Sequence, residues 1–158
     1  MDKNAIGDRG ESIFMSRITE GFLFRVYFLG EKAPIGDFIL EINDESTPYE
    51  CMIQVKSTRT GYNASGNLKA KVSKGKLTKL INRPLPTYVA GVDEIDEKVY
   101  IYPAFDANNT ISSIPTNHIL EKGNPVSLIT LRVLKEDIVN YWQSINIQNH
   151  KTNYNSIL

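Results

Sequence analysis

Apolar positions alternate and cluster along the chain in a way that predicts a small set of elements. Asp8 to about Glu20 has the spacing of a helix, with Glu11, Phe14, Met15, Ile18 and Phe22 on one stripe. Asp8 and Glu11 stand at the separation of a capping box, which gives Glu11 a purely structural use as well. Phe22 to Leu29 is an aromatic-rich strand interrupted only by Arg25, and the stretch from Gly30 to Pro34 turns the chain into the next element. Residues 35 to 56 then read as two strands around a polar loop, NDESTP at 43–48. Leu68 to about Asn82 predicts a helix weakened by Gly75, and Pro84 and Pro86 end it. Strands TYVAGVD and KVYIYPA follow, flanking Glu94 to Glu97. The four acids of that turn, Asp93, Glu94, Asp96 and Glu97, read as a solvated hairpin tip. A strand after a helix of this length favours a crossover into the same sheet. Phe105 to Pro125 has only short apolar runs, and Val126 to Val133 fits a strand or the start of a helix. Lys135 to Ile147 is a final helix with Ile138, Val139, Trp142 and Ile145 on one stripe, and residues 148–158 form a polar tail. The expectation is one domain over residues 1–147.

The hairpin carries the candidate chemistry. With a loop at 43–48, Ile42 faces Tyr49 and Asp37 falls opposite Gln54. Directly opposed residues share a sheet face, so Asp37, Gln54 and Lys56 lie together, while Cys51, Ile53 and Val55 point into a core. A slip of one residue would reverse this. An Asp, a Gln and a Lys interrupting otherwise apolar strands are costly unless they pair, bind a metal or reach solvent. A strand-end ion pair between Asp37 and Lys56 is the plain alternative.

Composition narrows the setting. The chain has 158 residues with 18 basic and 18 acidic side chains, so overall charge announces no polyanion partner. The charge is unevenly placed, however. Lys56, Arg59, Lys69, Lys71, Lys74, Lys76, Lys79 and Arg83 fall in one stretch that contains no Asp or Glu. The lone Cys51 cannot form an internal disulfide, and no apolar run is long enough for a signal peptide or membrane span, so a cytoplasmic protein is expected. Gly75-Lys76 lacks the Ser or Thr and the upstream glycine of a phosphate-binding loop. His118 and His150 have no partner at ligand spacing, and no GxSxG, HExxH or CxxC occurs.

Asp37, then Gln54-Val55-Lys56 on consecutive strands after a helix bearing Glu11, resembles the PD-(D/E)xK nuclease superfamily with Gln in the acidic position. The wording around it, FLGEKAPIGDFILEI, CMIQVKST, PTYVAGVDE and VYIYPA, is similar to stand-alone prokaryotic members. The resemblance implies an α/β, restriction-endonuclease-like αβββαβ core with a mixed sheet flanked by helices. It also implies a Mg²⁺- or Mn²⁺-dependent nuclease acting on DNA, in host defence or DNA processing. In that reading Asp37, Gln54, Lys56 and Glu11 are catalytic, and Asp37, the Gln54 side chain, the Val55 carbonyl and Glu11 hold the metal. Arg59, Lys69, Lys71, Lys74, Lys76 and Lys79 would contact nucleic acid. A homodimer is compatible with it. The other class of function is a catalytically weak or inactive module that keeps the fold to bind nucleic acid or protein, because an amide at position 54 brings a metal no charge.

Overall fold

A computed structural model describes residues 3–30, 36–107 and 110–145, with the side chains of 3–8 excepted. The turn expected at Gly30 to Pro34, beyond Gly30 itself, and the C-terminal tail lie outside the described residues. Six strands form one sheet in sequence order: β1 (Phe24–Phe28), β2 (Phe38–Ile42), β3 (Glu50–Thr58), β4 (Thr87–Asp93), β5 (Lys98–Pro103) and β6 (Ile119–Leu120). Every pairing is antiparallel except β3 with β4, which is parallel, so the sheet is mixed. The helices are α1 (Lys3–Ile18), α2 (Lys74–Ile81) and α3 (Val126–Ser144). The α2 segment makes the crossover that lets β4 run parallel to β3, as the helix-then-strand order predicts.

Strand alternation divides the core in two. Phe38, Leu40 and Ile42 of β2, Cys51, Ile53 and Val55 of β3, and Tyr88, Ala90 and Val92 of β4 face a layer made by α1 and α3. Phe14 and Ile18 of α1 and Leu131, Leu134 and Ile138 of α3 complete it, with the Phe14 and Phe38 rings tilted at 5.0 Å. On the other face Met52 and Val89 pack under Leu77 and Leu80 of α2 and under Leu68, Val72, Ile111 and Ile114. The Trp142 indole N–H donates to the Glu50 carbonyl at 2.8 Å, and the Tyr88 hydroxyl donates to Asp137, fastening α3 to the sheet. Arg25, the one charge in β1, pairs with Glu41 directly across from it at 2.9 Å.

Several sequence expectations need correction. The first helix begins at Lys3, so Asp8 and Glu11 lie within it rather than at its start. Its buried stripe is Gly10, Ile13, Phe14, Arg17 and Ile18, whereas Met15 and Phe22 face solvent. The helix expected over Leu68 to Asn82 is helical only from Lys74. Residues 68–72 are not helical: Leu68 and Val72 bridge to Ile114 and Ile111, and the Ala70 N–H turns back to the Leu68 carbonyl at 2.9 Å. Ser73 caps α2, its hydroxyl accepting from the Lys76 N–H. Undecided residues 126–133 join the last helix, which ends at Ser144 rather than Ile147, and Ile145 is exposed. The acidic turn is solvated only at Asp96 and Glu97. Asp93 is buried and accepts from the Tyr62 hydroxyl at 2.8 Å and from the Ile95 and Asp96 amides, while Glu94 is buried 3.7 Å from Arg59. These two acids tie the loop after β3 to the turn after β4, a burial that tertiary partners make tolerable.

Candidate functional site

The hairpin register places the polar cluster. Phe38 pairs with Ile53, Leu40 with Cys51 and Glu41 with Glu50, and the Ile42 N–H donates to the Tyr49 carbonyl at 2.9 Å. One step beyond the ladder, the Asp37 N–H donates to the Ile53 carbonyl at 2.8 Å, which sets Asp37 beside Gln54. The Gln54 Nε2 donates to Asp37 Oδ2 at 3.0 Å, and the Val55 N–H donates to the same oxygen at 2.7 Å. Gln54 Oε1 accepts from the Gly36 N–H at 3.2 Å. Gly36 has φ +72° and stands where an added Cβ would lie 2.6 Å from the Met52 side chain, so this approach to β3 requires glycine.

Burial raises the Asp37 pKa above the ordinary carboxylate value, opposed by the Val55 N–H and by the charges of Lys56 and Lys76. Lys56, two residues after Gln54 on the same face, is held down to about 8, first by burial and then by the adjacent Lys76 ammonium, with Asp37 acting the other way. An amine poised near neutrality can exchange protons with a reacting group, and as a cation it can hold a phosphate.

Glu11 comes from the opposite layer. Gly10 packs so closely on β3 that an added Cβ would lie 2.6 Å from Ser57 Cβ. The next residue, Glu11, is half-buried and is thus carried to the end of β3 that holds Lys56. Among the described residues no three His, Cys, Asp or Glu side chains come together. The donors of the hairpin are the Asp37 carboxylate and the Gln54 amide oxygen. This small, hard oxygen set suits a divalent ion such as Mg²⁺, which keeps several waters and needs one or two carboxylates.

The basic segment separates on folding. Arg59 is paired with Glu94, whereas Lys69, Lys71, Lys74, Lys76 and Lys79 are exposed. Lys71 and Lys76 line a cleft of ≈ 480 Å³ together with Lys56, and Ser73, Thr110 and Ser112 add hydroxyls over a floor of Val72 and Ile111. Sequence reasoning placed Lys71 and Lys76 in a general basic surface and missed their meeting with Lys56. The signal was present: Leu68-Lys69-Ala70-Lys71-Val72 alternates strictly, the pattern of an extended segment rather than a helix.

A mixed sheet covered by helices on both faces defines an α/β fold. Among solved structures the chain is similar to a bacterial homing endonuclease, I-Ssp6803I, with a TM-score of 0.55 at 14% identity, covering 91% of this chain and 99% of that one. At that identity the likeness shows the fold. No protein-family model and no curated protein matches the sequence. Among the described residues no helix is long and apolar enough to cross a membrane.

Proposed function

We propose that this chain is a divalent-metal-dependent nuclease of the PD-(D/E)xK type, hydrolysing phosphodiester bonds in DNA. The observation that carries the reading is the hairpin register, which puts a half-buried carboxylate, an amide and a lysine of lowered pKa on one sheet face. Asp37 and Gln54 are the residues that would hold Mg²⁺ or Mn²⁺, with the Val55 carbonyl and Glu11 as the further donors implied by the resemblance. Such an ion, when bound, neutralises charge at the phosphate and lowers the pKa of the attacking water. The protein's own part is positional. Asp37 is oriented by the Val55 N–H, Gln54 is oriented by Gly36, and Lys56 accepts a proton or holds the phosphate. The lysines after β3 supply the salt-sensitive attraction to the backbone.

The homing-endonuclease neighbour supports the nuclease theme through its fold. One observation favours the second reading, a binding module without catalysis: the Gln54 amide already satisfies Asp37, so the pair is stable with no ion between them. Cleavage assays with Mg²⁺ and Mn²⁺ on linear, nicked, branched and single-stranded DNA separate the two. The expected result is metal-dependent cleavage by the wild type and none by Lys56→Ala. DNA binding with no cleavage of any substrate and no divalent-ion binding at millimolar concentration would replace the enzyme with the module.

A further inference from the structure

The cleft beside Lys56 has a charge arrangement that folding alone does not favour. Among the described residues its charged lining is all cationic, Lys56, Lys71 and Lys76, with no carboxylate. Lys76 stands next to Lys56 although two ammonium groups repel. Lys76 also lies in the first turn of α2, as does Lys74, and that turn holds no acidic residue. Cations at this end of a helix meet the positive pole of its dipole, where anions are the stabilising partners. The Ser73, Thr110 and Ser112 hydroxyls face the same space and can donate to an anion. The wall is held in place from behind. Leu68 and Ile114 pack on the sheet at Gly91, where an added Cβ would lie 2.6 Å from Ile114 and 2.8 Å from Leu68, and Gly91 is the β4 partner of Lys56.

We infer that this cleft is a phosphate site, in which Lys71 and Lys76, with the hydroxyls of Ser73, Thr110 and Ser112, hold one phosphate of a nucleic-acid backbone next to the phosphate presented to Lys56. It rests on the nucleic-acid reading above for the source of the phosphate, and it gives Lys76 a part that a diffuse basic surface would not. Lys76 fixes the register of the strand relative to Asp37.

The test follows the lysine side-chain NMR signals of the full chain during titration with inorganic phosphate and, separately, with a short DNA duplex. Wild type is compared with Lys76→Met, Lys76→Arg and Lys122→Met, the last altering an exposed lysine in the turn after β6, outside the cleft. Phosphate is expected to move the Lys56, Lys71 and Lys76 signals. Lys76→Met should weaken phosphate and duplex about ten-fold, the loss of one charge-assisted hydrogen bond. Lys76→Arg should retain most of the affinity, and Lys122→Met should leave the phosphate response as in wild type. The inference is overturned if phosphate moves no cleft lysine, if Lys76→Met behaves like Lys122→Met, or if free phosphate binds while the duplex leaves the cleft signals unmoved. Cleavage without a phosphate response would sink this site and leave the nuclease standing. A phosphate and duplex response without cleavage would sink the nuclease and leave the site.

Discussion

Asp37 has two duties that substitution can separate. Its Oδ2 takes the Val55 N–H at 2.7 Å and the Gln54 Nε2 at 3.0 Å, and its charge is the one a metal would use. In Asp37→Ala the Val55 donor, inside a buried strand, loses its acceptor, at a cost of about 1–3 kcal/mol. Gln54 is half-buried and can turn to water, so it adds little. In Asp37→Asn an amide oxygen of the same shape can still accept from Val55. Exchanging a charged for a neutral acceptor forfeits about 1 kcal/mol, and the relief of desolvation, the largest influence on Asp37, offsets it. Asp37→Asn should therefore stay within about 1 kcal/mol of wild type, and Asp37→Ala should fall below it by about 1–3 kcal/mol, read by urea denaturation at neutral pH. At this chain length each kcal/mol moves the melting temperature by about 2–4 °C. The pH dependence adds a check on sign. A carboxylate whose folded pKa is raised favours the fold most in acid, and that contribution is lost as pH climbs through the folded pKa. Asp37→Asn abolishes this dependence. Both variants should lose metal binding by calorimetry and all cleavage. Equal stabilities for the two, or cleavage surviving in Asp37→Asn, would refute this division between a structural hydrogen bond and a functional charge.

Four further outcomes follow from the same geometry. Because Lys56 titrates near 8, cleavage should rise with pH through about 8 and then level if it acts as a base, while a rate falling through 8 would make it a phosphate-holding cation. The same depressed pKa means that the protonated lysine disfavours the fold below about 8. Lys56→Met should thus be more stable than wild type at neutral pH, with the advantage shrinking as pH rises from 8 towards 10.5 in denaturant titrations, and with metal binding unimpaired. Gln54→Glu replaces the Nε2 donor by a second carboxylate next to Asp37, so the fold should weaken without metal while calorimetry shows tighter Mg²⁺ or Mn²⁺ binding and cleavage holds or rises; unchanged affinity would remove Gln54 from the metal site. Gly10→Ala places a methyl group 2.6 Å from Ser57 Cβ and should destabilise by about 1–3 kcal/mol, whereas an unconstrained helical glycine would gain up to about 1 kcal/mol from the same change.

The hairpin was legible from sequence because its information is local. A six-residue polar loop between two apolar strands sets the pairing, and strand alternation then decides which side chains share a face, so the neighbourhood of Asp37 and Gln54 follows without knowledge of the rest. The αβββαβ order and the parallel placement of β4 were legible for a similar reason, since each depends on consecutive elements. What tertiary structure decided involves residues far apart in the chain. Asp93 and Glu94 look like solvent acids in a turn, and only the return of Tyr62 and Arg59 makes their burial tolerable. Helical spacing put Met15 and Phe22 on the stripe of α1, but the close passage of Gly10 over Ser57 fixes the helix's rotation and turns them outward. Lys71 and Lys76 read as part of a charged surface. They meet Lys56 because Leu68 and Val72 bridge to Ile114 and Ile111, some forty residues later in the chain, and hold the segment out of the helix. Local pattern fixes which face a residue takes, and packing between distant segments determines which faces meet.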